Sequence, residues 1–299
     1  MSHALHRAND LGGLVQRAHD SAGIDLHAHS HCSDGALSPT QLVARAAAAG
    51  VRMLALTDHD TTEGLAAART AAAPLGLALV DGVEISACWR SQTVHVLGLW
   101  IDPSAPALQQ ALSRQATLRR ERLAEMCARL TQLRLPGAEL EAELRALPGI
   151  TTRTHLARAM VRAGLVKHAA DAFHRYLGQG KPAYRRTQWP DMQAAIGWVR
   201  TAGGHAVLAH PMRYRLSAGA RRGLIADFAA QGGGALEVVS GGNAGQALET
   251  AADLARRFGL RGSVGSDFHD PNLPWNPLGR LAKLPTRIEP LWTLASTHQ

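Results

Sequence analysis

The stretch Asp25-Leu26-His27-Ala28-His29-Ser30 carries two histidines two positions apart. In an extended chain alternate residues face the same side, so both imidazoles can grip one or two cations. Alone, such a pair is as much at home in a buried core or on a solvated face. Here it has company. Asp34 lies in Ser33-Asp34-Gly35, His59 inside Asp58-His59-Asp60, Glu84 at the end of one apolar stretch and His95 within the next. His210 precedes Pro211, and Asp267 and His269 repeat the two-apart spacing. Six histidines and three carboxylates, nearly all directly behind apolar runs, argue for one assembled site rather than scattered polar residues.

Imidazole and carboxylate donors without thiolate suit Mn, Zn or Fe(II), and disfavour a calcium site or a sulfur cluster. Nine donors exceed the three or four that one catalytic zinc takes. At least two cations are implied, three can be accommodated, and Glu84, Asp34 and Asp267 are the natural bridging ligands. Clustered cations bring the pKa of a coordinated water toward neutrality and offset charge on phosphoryl oxygens, which points to phosphate ester hydrolysis. Asp58 and Asp60 either orient ligand imidazoles or cap a following helix, and the sequence supports both readings.

The elements that must position these groups read as alternating strands and helices. Apolar runs Ile24–Leu26, Arg52–Thr57, Leu77–Val83, Thr93–Ile101, Ala206–Ala209, Ala235–Ser240 and Gly262–Gly265 alternate with Ala-rich segments. That alternation predicts a parallel sheet built from βα units, with Glu84 ending the third strand. The polar clusters then fall at carboxyl ends of strands, where barrel enzymes carry their chemistry. Pro39–Gly50 and Gly64–Ala73 read as helices, the first opened by Ser38 or Thr40 and closed by Gly50.

Between Pro103 and Pro190 the strand signal vanishes. Leu108–Leu133 reads as one long helix bearing Arg114, Arg119, Arg120, Arg122 and Arg129. A second helix begins near Thr151 or Thr154 and runs through His155, Arg158 and Arg162, and a Gly/Lys/Pro loop spans Gly178–Tyr184. The chain divides into an N-terminal extension (1–21), a first barrel part (22–102), an inserted helical cap (103–190) and a second barrel part (191–299).

The 299 residues are 46% hydrophobic and 19% charged, a globular profile that excludes a mainly disordered chain. A net charge of +8 suits an anionic substrate, although solvated Arg-rich helices give the same balance. Cys32, Cys88 and Cys127 form no CxxC pair, so a disulfide framework is not suggested and a reducing cytoplasm is expected. The start, with His3, Arg7, Asp10 and Arg17 around Leu11–Val15, is too broken for a signal peptide. No apolar run is long enough for a membrane helix. Aromatics at 4% disfavour a stacking platform for single-stranded nucleic acid.

Jointly, Asp25 to Ser30, Thr57-Asp58-His59-Asp60, Glu84, His210-Pro211 and Ser266-Asp267-Phe268-His269 resemble the motifs of the PHP (polymerase and histidinol phosphatase) superfamily. The match spans Ile24 to His269. The resemblance implies an α/β fold, a distorted (β/α)7 TIM-like barrel with an inserted helical cap domain. It implies a trinuclear site, Mn first with Zn, Fe or Mg as alternatives, held by His27, His29, Asp34, His59, Glu84, His95, His210, Asp267 and His269. Asp34, His59 and His210 are expected to act in catalysis as well.

Within that family, Thr152 to Arg158, Tyr176-Leu177 and Gly180 to Tyr184 look like the nucleotide-directed branch, which comprises 3',5'-nucleoside bisphosphate phosphatases and 5'-to-3' exonucleases on short RNA. A doubly phosphorylated nucleotide needs a second anion site, and arginine grips phosphate through paired donors. Arg153, His155, Arg158, Lys181 and Tyr184 are the candidates, against the plain alternative that these groups solvate the cap. His31 either contacts substrate or is simply exposed. The expected activity is removal of the 3'-phosphate from compounds such as adenosine 3',5'-bisphosphate. The alternatives are a 5'-3' exonuclease on short 5'-phosphorylated RNA or DNA, a histidinol-phosphate phosphatase, or a non-catalytic metal-binding module. No membrane and no obligatory protein partner are expected.

Overall fold

The computed structural model describes residues 20–242, 244–273 and 276–297. The expectations for the N-terminal extension through residue 19 lie outside this range. Seven strands, β1 (Ile24–Asp25), β2 (Met53–Leu56), β3 (Ala78–Trp89), β4 (Gln92–Leu99), β5 (His205–Leu208), β6 (Ala235–Ser240) and β7 (Arg261–Gly265), pair in sequence order. The sheet curls until its edges meet. Leu26 N donates to Val264 O (2.9 Å) and Asp267 N to His27 O (2.8 Å), which makes a nearly closed barrel.

The expected uniformly parallel sheet needs correction. β3 does not end at Glu84 but continues through the apolar residues Ile85, Ala87 and Trp89 for twelve residues in all. It then turns within Arg90-Ser91, where Arg90 has φ 53°. A two-residue connection can join only antiparallel strands, so β4 runs opposite to β3 and to β5. The remaining neighbours are parallel.

Helices α1 (Pro39–Ala48) and α2 (Leu65–Ala72) follow β1 and β2. Ser38 opens α1 through a reciprocal capping box: Gln41 N donates to Ser38 Oγ (3.1 Å) and Ser38 N to Gln41 Oε1 (2.9 Å). Leu42, Val43 and Ala46 then face the barrel. Residues 103–190 contribute α3 (Pro106–Gln132), α4 (Gly137–Arg145), α5 (Arg153–Arg162) and α6 (Ala169–Ala172). A π-helical turn, Phe173–Leu177, extends α6. Helices α7 (Met192–Thr201), α8 (Ala218–Ala230) and α9 (Gln246–Arg257) return to the barrel wall.

The 27-residue α3 belongs to two cores. Its first turns bury Leu108 and Leu112 with the barrel residues Val96 and Leu99. Its later turns bury Leu123, Met126 and Leu130 with Leu140, Leu144, Leu156 and Met160 in a separate cluster. At about 1.5 Å per residue this helix is a stiff post about 40 Å long. Gln115 and Arg119, buried where it passes from one core to the other, join it to the barrel mouth.

Candidate metal centre

Strand ends and the middle of the β3–β4 hairpin bring all nine expected donors to one place. His27 and His29 lie on the continuation of β1, and His29 N donates to Phe268 O (2.9 Å), so this segment runs beside the one after β7. The two motifs with two-apart spacing are therefore neighbours, and the His29 and His269 rings stack at 4.1 Å. His59 and Glu84 pair across the continuation of β2, with Asp60 N bonded to Glu84 O (2.9 Å). Asp60, His210 and Asp267 adopt left-handed φ of 52°, 31° and 54°. Such backbone costs about 1 to 3 kcal/mol per residue and persists where the surroundings dictate it.

Glu84 is the hub. Its Oε2 lies 3.4 Å from His27 Nε2, 3.3 Å from His29 Nε2 and 2.8 Å from His59 Nδ1. Its Oε1 lies 2.8 Å from His95 Nδ1 and 3.1 Å from His210 Nε2. Asp267 Oδ1 stands 3.3 Å from His27 Nε2 and 3.2 Å from His29 Nε2. On the other side Asp34 Oδ1 is 3.1 Å from His269 Nε2 and 3.8 Å from His59 Nε2.

The surroundings set the ionisation. Burial alone would raise all three carboxyls, but the imidazoles around them outweigh it and hold Glu84, Asp34 and Asp267 well below the usual range. Burial pushes His59 down to about 4 despite Glu84 and Asp34, leaving the neutral form that binds metals. Burial also opposes charge on His29, yet the Asp267 and Glu84 carboxylates beside its Nε2 prevail and carry it up to about 10.

Divalent cations fit this donor set. Asp34 Oδ1, His59 Nδ1 and Glu84 Oε2 are buried atoms without a hydrogen-bond partner, although an imidazole nitrogen or a carboxylate oxygen stands within 3.1 Å of each. Leaving such atoms unsatisfied costs about 1 to 3 kcal/mol each. Two ligands held by one cation at about 2.1 Å and about 90° to 110° apart stand about 3.0 to 3.4 Å from each other. Most separations around Glu84 and Asp267 have this spacing. Three overlapping groups could each hold an ion: His29, Asp34, His59 and His269; His27, His29, Glu84 and Asp267; and His59, Glu84 and His95.

Several neighbours brace these donors. Asp58 neither caps a helix nor touches an imidazole; it accepts from Ser30 N (2.7 Å), Ser30 Oγ (2.6 Å) and Ser33 Oγ (2.6 Å), fastening the loop before Asp34. Asp60 accepts from Ser86 N (2.8 Å) and Arg119 Nε (2.7 Å), tying β3 to α3. Tyr214 Oη accepts from His95 N (2.9 Å), and Arg213 is bonded to Asp267 Oδ2 and to Gly241 O. Sequence reasoning missed Arg213 and Tyr214, and nothing in their spacing marks them.

The cap candidates divide. Arg153 borders a cavity of about 110 Å³ that is also lined by Asp34, His59 and His95. His155 instead accepts from Thr152 N at Nδ1 (3.1 Å), completing the α5 cap, and Arg158 donates to Asp34 O (2.9 Å). Lys181 and Tyr184 do not line the cavity; the Lys181 amide bonds to Gly178 O and the Tyr184 carbonyl accepts from Arg129. Two arginines that nothing in the spacing singles out on the long helix do line it: Arg119 and Arg122, with Trp189 5.2 and 5.7 Å from their guanidinium carbons. Burial, then the Arg153 and Arg119 charges, push Arg122 down to about 9. A guanidinium still keeps its proton at neutral pH, so three positive charges crowd one wall.

With this geometry in place, the likeness to known proteins is specific. The profile of the PHP domain matches residues 25–177. Over 273 residues the chain is 44% identical to a Chromobacterium violaceum protein named 3',5'-nucleoside bisphosphate phosphatase, covering 91% of this chain and 95% of that one. Over 268 residues it is 43% identical to a 5'-3' exoribonuclease of Haemophilus influenzae, covering 90% and 97%. Among solved structures, an amidohydrolase of Chromobacterium violaceum with bound sulfate and no metal superposes with a TM-score of 0.86 at 42% identity, covering 92% and 96%.

Proposed function

The chain belongs to the PHP domain family, and from that premise we propose that it removes the 3'-phosphate from 3',5'-nucleoside bisphosphates, such as adenosine 3',5'-bisphosphate, and leaves the 5'-mononucleotide. One observation carries the reading: a single cavity is lined both by Asp34, His59 and His95 and by Arg119, Arg122 and Arg153. Two anion-seeking poles facing one space match a substrate with two phosphates.

We assign the nine donors to the metals, three Mn in the first instance with Zn, Fe or Mg as alternatives. When bound there, divalent cations supply a water of near-neutral pKa and offset charge on the reacting phosphate. The protein does the rest. Arg122 and Arg153 hold the 5'-phosphate through charge-assisted hydrogen bonds, drawing on donors such as the buried, unpartnered Arg122 Nε. Phe173 and Trp189 wall the space between and shield it from water. Asp34, His59 and His210 bear on the reacting phosphate; Thr152 Oγ1 donates to Asp34 Oδ2 (2.9 Å) and fixes that carboxylate from the cap side. Residues 103–190 act as the cap domain in this reading.

The relative named an exoribonuclease favours a second activity, stepwise release of nucleotides from short 5'-phosphorylated oligomers at the same centre. Among the described residues no helix is long and apolar enough to cross a membrane, and all three cysteines are free. We place the reaction in the cytoplasm on nucleotide substrates. Phosphate release would be followed from adenosine 3',5'-bisphosphate, 5'-AMP and 5'-phosphorylated trimers, with metals added singly. Turnover of the bisphosphate far above 5'-AMP is expected, and no release from the bisphosphate with any metal would defeat the assignment.

A further inference from the structure

Glu237 lies on β6, a strand whose neighbours Ala235, Leu236, Val238 and Val239 are all buried and apolar, and it is itself fully buried. Charged side chains almost never occupy such a position unless something binds them. Its two oxygens have separate partners. Oε1 is 2.9 Å from His27 Nδ1, and Oε2 accepts from the His210 backbone N–H at 2.6 Å. The register of β6 against β7 shifts between Glu237 and Val239, an irregularity in the ladder at the residue itself. Gly265 on β7 leaves the room required: a Cβ there would stand 2.3 Å from His27 Cβ and 2.5 Å from Glu237 Oε1.

We infer that Glu237 is a positioning residue of the metal centre, which fixes the ring of His27 with one oxygen and the backbone of His210 with the other. A carboxylate at Nδ1 requires the His27 proton to sit there, which leaves Nε2 free to face the cations. His27 Nε2 and His210 Nε2 flank the two oxygens of Glu84 at 3.4 and 3.1 Å. One buried side chain thereby sets two of the five imidazoles around the hub. The left-handed φ of 31° at His210 shows why its backbone needs such an anchor.

The inference rests on the metal-centre reading above, and Glu237→Gln separates the two. The amide keeps the shape but has only one acceptor. Either its nitrogen confronts the His210 N–H, or it faces His27 Nδ1 and drives the proton to Nε2, where it blocks a ligand. Wild-type and E237Q proteins, stripped with EDTA and titrated with Mn or Zn, should differ by a loss of one equivalent or a 10- to 100-fold weaker affinity in the variant. Circular dichroism of the stripped proteins should stay alike. Equal stoichiometry and affinity would overturn the positioning role while leaving the phosphatase reading intact; a wild-type protein that takes up no metal would overturn both. If E237Q fails to fold, 15N-histidine NMR of the zinc-loaded wild type decides. A proton on His27 Nδ1 supports the role, and an unprotonated Nδ1 overturns it.

Discussion

Glu84 Oε1 lies 2.8 Å from His95 Nδ1, although Glu84 pairs with Leu97 and His95 with Ser86 across the β3–β4 ladder. They are diagonal neighbours on one face of an antiparallel pair, a placement within reach of long side chains. The two-residue turn at Arg90-Ser91 sets that register, since a parallel fourth strand would need a long crossover in its place. The hairpin is therefore part of the site, and Glu84 can act as its hub because it is not at a strand end.

Removing that hub should be severe. Glu84→Gln keeps the volume but leaves five imidazoles without their shared carboxylate. Turnover of the bisphosphate is expected to fall at least about 1000-fold, the scale on which loss of a charge-stabilising group acts. Metal analysis should show fewer bound ions, and near-normal turnover at full metal content would contradict the hub role.

Metal removal should destabilise the fold. Each site occupied at about a hundred times its Kd adds about 2.7 kcal/mol to the folded state. Buried atoms such as Glu84 Oε2 and Asp34 Oδ1 have no hydrogen-bond partner to replace the ion. EDTA should lower the melting temperature by several degrees and readdition of Mn should restore it, as scanning calorimetry would report; an unchanged melting temperature would argue against metals at these donors.

The anion wall can be tested apart from the metals. Arg122 is not among the metal donors, so Arg122→Gln should leave metal content intact. Losing a charge-assisted contact of about 1.5 to 3 kcal/mol should raise KM for the bisphosphate about 10- to 100-fold. Hydrolysis of p-nitrophenyl phosphate, which has no second phosphate, should change little. Equal losses on both substrates would remove Arg122 from the 5'-phosphate site.

The thiols offer a test of the second, helical core. Burial pushes Cys127 up to about 12, with Glu141 adding to it, so the reactive thiolate is scarce until well above neutral pH. Cys32 and Cys88 are only partly covered. At pH 8 the native protein should titrate no more than two thiols with a disulfide reagent, and the third only after unfolding. Rapid modification of three would mean that this core opens readily.

What the sequence revealed follows period and position. The seven apolar runs and most of the expected donors were legible because those donors stand at or just after the ends of the runs. The direction of β4 was not, since a buried strand reads alike in both directions and the turn at Arg90-Ser91 carries no glycine signal. Arg119 and Arg122 were visible only as two arginines among several on a long helix. Glu237 did leave a trace, a lone acid inside the apolar run Ala235–Ser240, but its partners lie 210 and 27 residues away.

Arg119 does more than line the cavity. It is 6% exposed, and its Nε donates to Asp60 Oδ2 (2.7 Å) while its terminal nitrogen donates to Ser86 Oγ (2.8 Å). Gln115 adds a bond to Ser86 O (2.6 Å), so one turn of α3 is pinned beside His59 and Glu84. Removing one member of a buried pair leaves a carboxylate without its counter-charge, a loss of about 3 to 5 kcal/mol. Arg119→Met should therefore destabilise the protein by about 3 kcal/mol or more in denaturant titrations. The exposed pair Arg162–Glu143 serves as control, and Arg162→Met should cost less than about 1 kcal/mol. Because Asp60 directly follows His59, the Arg119 variant should also loosen metal binding, whereas the Arg162 variant should not. Similar stabilities for the two variants would show that the cap is held by its apolar contacts alone.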